Sequence, residues 1–284
     1  MKSAMESLKH LNWVAAGAHF AVFFAFLLIT IFVLKKQYKS ASVYRIGATA
    51  PPAGEEIDSL DYPTKVVRLG SINIANWILT FFAFTVFFHV LYATDFFGKG
   101  LYTKFVQDGW NPVRWGEYAI SAAIMIVIIG ELAGVRDIVG LWPAFFCVFA
   151  LQFCGLIVER EAMKPLKDGF QVLAATGIGW TLLTAVWVPI LFTIVKTIGD
   201  ARRFAANVPS WVPIIVVLQF VQYSLFGFWQ LKQVIPLVKQ KALPSFFTME
   251  KGYIVLSFAS KLALGSFIGY GLIQRQNSPP ELIV

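Results

Sequence analysis

The chain has 284 residues, 57% of them hydrophobic and only 14% charged, with a mean hydropathy of +0.67. Soluble domains carry about a quarter charged residues, so a water-facing globule is excluded and an all-α polytopic membrane protein is expected. The net charge of +8 is scattered over short loops. It reads as juxtamembrane charge beside the lipid bilayer, with no nucleic-acid partner.

Seven apolar spans follow one another at roughly 11–34, 71–94, 113–135, 138–158, 169–197, 208–235 and 251–273. Each is long enough to cross a hydrocarbon core of ~30 Å, and together they make one membrane domain over 1–284. The first run, about 24 residues long, is a span and not a cleavable signal. The first connection, about 36 residues from Lys35 to Gly70, is the long one. Within it "SVYRIGA" and "KVVRLG" are β-prone and flank the turn-forming "APPAGEEIDSLDYP", which predicts a small hairpin on the membrane surface. Cys147 and Cys154 share one face of the fourth span, too far apart for a disulfide. No internal repeat appears, which argues against a solenoid or a duplicated transporter half. Lys and Arg divide twelve to eleven between the two sides, so the positive-inside rule does not choose an orientation.

Ionisable groups inside spans are the first functional candidates. Lys261 lies about nine residues into the seventh span, ~13 Å deep at 1.5 Å per residue. An ammonium there costs at least ~2.5–3.5 kcal/mol, and it is too deep to snorkel. The third span holds Arg114, Glu117 and Glu131. His19 and His89 come from the first and second spans. Arg114 and Glu117 are three apart on one helical face, Ser121 continues that stripe, Thr85 precedes His89 by four, and Ser257 precedes Lys261 by four. Brought together, these stripes give the amine a carboxylate and hydroxyls, without which a buried cation does not persist. A desolvated amine is also a nucleophile that forms a Schiff base with an aldehyde. Seven spans, a lysine in the last and a carboxylate in the third suggest a retinal aldehyde with Glu117 as counterion. The bland alternatives are a snorkelling Arg114, satisfied core histidines and a Lys261 ion pair without chemistry.

"RWGEYAISAAIM" in the third span and "EKGYIVLSFASK" in the seventh closely resemble the heliorhodopsins, supported by "AAGAHF" with His19, "TVFFH" with Thr85 and His89, and "KPLKDG" after the fourth span. The likeness runs over roughly residues 12 to 274, strongest in spans three and seven and loosest in five and six. It implies all-trans retinal on Lys261, Glu117 as counterion, and a polar cavity of His19, His89, Thr85 and Ser257 with Arg114 and Tyr118 close by. It further implies Trp115, Ser121 and Met125 in or beside the pocket. A cytoplasmic N-terminus, an extracellular C-terminus and a homodimer also follow from the resemblance. Phe220, Gln222 and Tyr223 are the sixth-span pocket candidates, where the alignment is loosest. The sequence departs from the family at Glu131, where an amide or neutral residue is usual, and at Val148, where an asparagine is usual.

The pattern is unlike an ion-pumping microbial rhodopsin. Those resemble Arg-x-x-Asp in the third span and place a second carboxylate four residues before the lysine, where this chain has Ser257. Proton pumps also place a carboxyl donor eleven residues after the counterion, here Ile128. The Asp-Arg-Tyr and Asn-Pro-x-x-Tyr signatures of G-protein-coupled receptors are missing. The leading reading is a light-absorbing, non-enzymatic photoreceptor that signals to a partner not identified by the sequence. The rival is light-driven or light-gated proton movement through Glu131, fourteen residues and ~21 Å beyond Glu117 on the same face. An interfacial Glu131 is the bland alternative to that rival. A light-regulated enzyme has little support, since no catalytic domain is recognisable in the 284 residues.

Overall fold

A computed structural model describes residues 2–33, 40–48, 64–165, 168–203 and 208–277. The chain is an all-α membrane protein with one small sheet. Helix α1 (Lys2–Leu28) runs on into a π-helical turn (Ile29–Val33). Strands β1 (Ser40–Ala48) and β2 (Thr64–Asn73) follow, and then α2 (Ile74–Ala93). The short α3 (Asp95–Gly98) and α4 (Leu101–Asp108) lead into α5 (Pro112–Ala133), α6 (Ile138–Met163), α7 (Gly169–Arg203), α8 (Trp211–Val238) and α9 (Phe246–Asn277). Seven of these, α1, α2 and α5 to α9, are long and apolar enough to cross a membrane.

The spans pack in chain order, each against the next, and α9 closes back onto α1. Helix α5 sits innermost, with 72% of its apolar window buried against 22% in α1 and 28% in α6, α7 and α8. Its lower half builds the core with Ala123, Met125, Ile126, Ile128 and Ile129, packed on Phe81, Phe82, Leu183, Trp187 and Ile215. Outward faces carry Phe20, Phe24, Phe170, Phe192 and Val195, all exposed, as surfaces meant for lipid are. Glycine allows close helix contacts: a Cβ on Gly252 of α9 would collide with the Trp229 ring of α8, and one on Gly155 of α6 with Trp115 of α5.

The hairpin forms as the sequence predicts and is antiparallel, with a register irregularity between Val43 and Tyr44. The strands are longer than the β-prone segments, and the turn "APPAGEEIDSLDYP" lies outside the described residues. The hairpin docks on the α5–α6 connection. Tyr44 donates its N–H to the Arg136 carbonyl (2.9 Å), and Val43 is buried against Val127 and Leu141. The connection between the second and third spans folds into α3 and α4. Asp95, Phe96 and Phe97 all have left-handed φ (53°, 50° and 55°) before Gly98, at a cost of roughly 1–2 kcal/mol per non-glycine residue. Thr94 Oγ1 accepts from the Phe97 N–H (3.2 Å), and Asp95 accepts from Thr103 N (2.8 Å) and pairs with Lys9 of α1 (3.0 Å). This turn lets α4 bury Tyr102 and Val106 against Met5 and Leu8 of α1 and Ile254 of α9.

Candidate functional site

Helix α5 starts at Asn111-Pro112. Asn111 Oδ1 caps the helix by accepting from Arg114 N (3.1 Å), and Pro112 supplies a preset φ at the first position. From there α5 aims Arg114, Glu117, Tyr118 and Ser121 inward, all buried. Two turns in, Glu117 meets Lys261 of α9: the ammonium contacts Glu117 Oε1, and both residues are almost fully buried (3% and 2% exposed). Ser121 Oγ donates to the same oxygen (3.0 Å). The Phe81 and Tyr118 rings stand 5.7 and 5.4 Å from Lys261 Nζ. The pair is electroneutral, and its contacts with ring faces favour the cation.

His19 and His89 stack with ring centroids 5.2 Å apart. His89 Nδ1 is 2.8 Å from Asn12 Oδ1, and Asn12 donates to Leu8 O (2.9 Å). Thr85 and Ser257 are buried as well. Thr85 Oγ1 has no hydrogen-bond partner among the described residues, which leaves a buried polar atom open to a further group.

On the opposite side of Lys261 a pocket opens between α5, α6, α7, α8 and α9. Trp115, Tyr118, Ser121 and Met125 form its inner wall, Leu151, Gln152 and Cys154 a second, and Gly179, Trp180 and Leu183 a third. Tyr223, Phe226 and Gln230 complete it opposite Ser257, Ser260 and Lys261. The slot is open on one side and lined mainly by apolar and aromatic side chains, as small-molecule sites are. The amine is thus at the end of an aromatic-lined slot with few polar groups.

Nearer the N-terminal end of α5 lies a second buried cluster. Arg114 reaches Glu159 at the end of α6 with one guanidinium nitrogen and Glu250 at the start of α9 with the other. Asn111 donates its N–H to Glu159 Oε2 (3.1 Å) and its side-chain amide to Glu250 Oε1 (2.8 Å). Tyr102 Oη donates to Glu250 Oε1 (3.2 Å) and accepts from Asn12 Nδ2 (3.4 Å). The Arg114 guanidinium also lies 4.3 Å from the Tyr253 ring centre and 5.0 Å from that of Trp115.

The family model that matches this chain is Heliorhodopsin, over residues 8–272. The chain belongs to the heliorhodopsin family. No curated protein matches it. Among solved structures it is similar to the crystal structure of a light-driven proton pump LR (Mac) from Leptosphaeria maculans. That likeness has a TM-score of 0.46 and 13% identity, and covers 97% of this chain and 95% of that one.

In this heliorhodopsin the residues named from the sequence are divided among several places. Lys261, Glu117 and Ser121 meet directly, and Trp115, Tyr118, Met125, Tyr223 and Ser257 line the pocket. His19, His89 and Thr85 are buried away from the pocket lining, the histidines stacked and His89 alone bonded to Asn12. Arg114 does not snorkel: it is held by Glu159 and Glu250, and its guanidinium lies over the pocket-lining Trp115 ring. Residues at i and i+3 diverge by ~60° around the axis and ~4.5 Å along it, enough for two long side chains to serve different neighbours. Phe220 and Gln222 stand outside the pocket lining. Phe220 packs on Trp187 (5.5 Å) and Gln222 accepts from Gln219 (2.9 Å). Glu131 is buried near the C-terminal end of α5, one oxygen bonded to Arg136 (3.0 Å) and the other without a hydrogen-bond partner among the described residues. The "KPLKDG" segment lies partly outside the described residues. Glu159 and Glu250 escaped notice because the spans drawn from hydropathy stop at 158 and begin at 251, while the helices run on to Met163 and start at Phe246.

Proposed function

We propose that this heliorhodopsin is a retinal photoreceptor in which all-trans retinal is held through Lys261, with Glu117 as counterion, and that its output is a change of helix packing read by a partner. The observation that carries this is the buried Lys261–Glu117 contact at the end of the aromatic slot. Retinal, when bound, supplies visible absorption and light-driven isomerisation. The chain's own residues do the rest. Lys261 offers the amine that condenses with an aldehyde, with loss of water. Glu117 and the Ser121 hydroxyl balance positive charge at that nitrogen. Trp115, Trp180, Tyr223 and Phe226 enclose an apolar polyene and exclude water. Thr85 and the histidine pair offer polar atoms near the amine to hold a released proton locally.

Local retention suits a sensor. Between Ser121 and Glu131 the buried face of α5 presents Met125, Ile128 and Ile129, ~15 Å without a titratable side chain on that helix. The second reading, proton movement through Glu131, draws on its buried position and its unpartnered oxygen. Placement of the N-terminus in the cytoplasm and assembly as a homodimer follow the family likeness.

Adding all-trans retinal to the protein is expected to give a visible band that Lys261→Ala abolishes. A band of unchanged position and intensity in that variant refutes attachment at Lys261. Under voltage clamp the sensor reading expects no photocurrent at any holding voltage. A photocurrent that Glu131→Gln reduces, with the absorption band nearly fixed, would establish the transport reading instead.

A further inference from the structure

The Arg114 cluster is not charge-balanced. One guanidinium faces two carboxylates, and the three residues are 1%, 0% and 1% exposed (Arg114, Glu159 and Glu250). Lys9, Lys164 and Lys261 on neighbouring elements pair with Asp95, Glu161 and Glu117, and Arg160 and Lys251, beside the two carboxylates in sequence, are exposed. The remaining titratable groups facing the cluster are Tyr92 of α2, Tyr102 of α4, Tyr118 of α5 and Tyr253 of α9, and none of them supplies a positive charge. A buried carboxylate without a counter-charge neutralises rather than stay ionised.

We propose that the Glu159–Arg114–Glu250 cluster is a proton-binding site that holds one proton in the dark, seated on Glu250 and directed at the Tyr102 hydroxyl, while Glu159 stays ionised against Arg114. The hydrogen bonds choose the seat. Glu159 faces only donors, the guanidinium and the Asn111 N–H. Glu250 Oε1 faces Tyr102 Oη, the one partner in the cluster that can accept as well as donate. A second, independent feature points the same way. Asn12 ties Tyr102 to His89, so the cluster stands at one end of a hydrogen-bonded chain whose other end is the histidine pair. The amide of Asn12 does not relay a proton by hydroxyl-type exchange. The chain therefore couples the cluster's charge to the histidines through hydrogen-bond orientation.

The proposal rests on charge count and geometry and not on the retinal reading, and its test needs no chromophore signal. The infrared spectrum of the full-length protein in lipid, kept dark at neutral pH, is expected to contain a carboxylic-acid C=O band that moves in heavy water. Glu250→Gln removes one acid's worth of this band. Glu159→Gln removes the same amount, because Glu250 then pairs alone with Arg114 and ionises. Arg114→Gln raises the cluster's share from one acid to two, and Tyr102→Phe shifts the band as the acid loses its acceptor. Glu131→Gln leaves the cluster's band in place. If wild type, Glu250→Gln and Glu159→Gln give superimposable spectra in this region, the cluster holds no proton and the proposal is overturned. If Glu131→Gln alone removes the band, the buried acid is Glu131 and the proposal is equally overturned.

Discussion

The two ion clusters that α5 carries, barely one helical turn apart, are built on opposite plans. At Lys261 one cation meets one carboxylate, a single hydroxyl supports the pair, and an aromatic-lined slot adjoins it. At Arg114 one cation meets two carboxylates, and donors from Asn111 and Tyr102 close the group. The first has a cation that can be chemically changed without unpacking its neighbours, since the pocket side is open. The second joins α5, α6 and α9 where their ends meet, so changing it disturbs three spans at once. The sparse cluster leaves its cation accessible from the pocket, while the crowded one ties three helix ends together.

That contrast breaks most sharply at Arg114. Arg114→Ala leaves two buried carboxylates facing each other, and removing one partner of a buried pair costs about 3–5 kcal/mol. Glu250→Gln leaves a balanced Arg114–Glu159 pair and is expected to cost only about 1 kcal/mol, the net worth of an exchanged hydrogen bond. Thermal or denaturant unfolding of both variants in the same lipid measures the difference. Equal losses would mean that Glu250 is ionised and that its charge matters to the cluster as much as that of Arg114. Arg114→Lys falls between, because an ammonium cannot bridge two carboxylates as the planar guanidinium does.

At the sparse cluster the effect is spectral. In the proposed pigment Glu117 would stabilise positive charge at the Lys261 nitrogen more in the ground state than in an excited state whose charge moves away along the polyene. Glu117→Gln is expected to move the visible band to longer wavelength, or to leave a near-ultraviolet form at neutral pH. The lost interaction is at least about 1.4 kcal/mol, a factor of ten in proton affinity. Absorption spectra across pH check this, and an unchanged spectrum and titration would assign the counterion elsewhere. Arg114→Ala, by contrast, is expected to shift the band far less than Glu117→Gln, since its guanidinium is neutralised within its own cluster.

Composition and hydropathy made the seven spans legible, and the alternation in 42–48 and 65–70 made the hairpin legible. Lys261 and Glu117 were readable because a charge in mid-span has few ways to be satisfied, and each names the other. The partners of Arg114 were not legible, because three-residue spacing fixes a helix face but not the neighbour a long side chain reaches. Its partners Glu159 and Glu250 sit where hydropathy fades, although helix geometry continues for another turn. Asn12 and Tyr102 were invisible for another reason. Asn12 is a lone amide in an apolar run, and Tyr102 enters the bundle only because the left-handed turn at 95–97 folds α4 inward. That turn depends on contacts between residues far apart in sequence, such as Lys9 with Asp95.

The smallest expected effect tests that inward fold. Burial alone would push the Asp95 carboxyl up. Hydrogen bonds from the Thr103 hydroxyl and N–H, and the Lys9 ammonium, outweigh it and hold the carboxyl below its ordinary 3.8. A carboxyl lowered in the folded state stabilises fully above its unfolded value, and the contribution is lost as pH falls through the folded value. The anchoring of α3 and α4 on α1 should therefore weaken below about pH 4, near the unfolded aspartate value. Asp95→Asn should lower stability slightly at neutral pH and flatten the acid limb, so that wild type and variant converge under acid. Amide exchange of residues 95–108 reports the loss locally, even where the whole bundle remains folded. If exchange in that segment is the same in both proteins at neutral pH, the carboxylate does not hold the turn. The left-handed residues would then be retained by the packing of Tyr102 and Val106 alone.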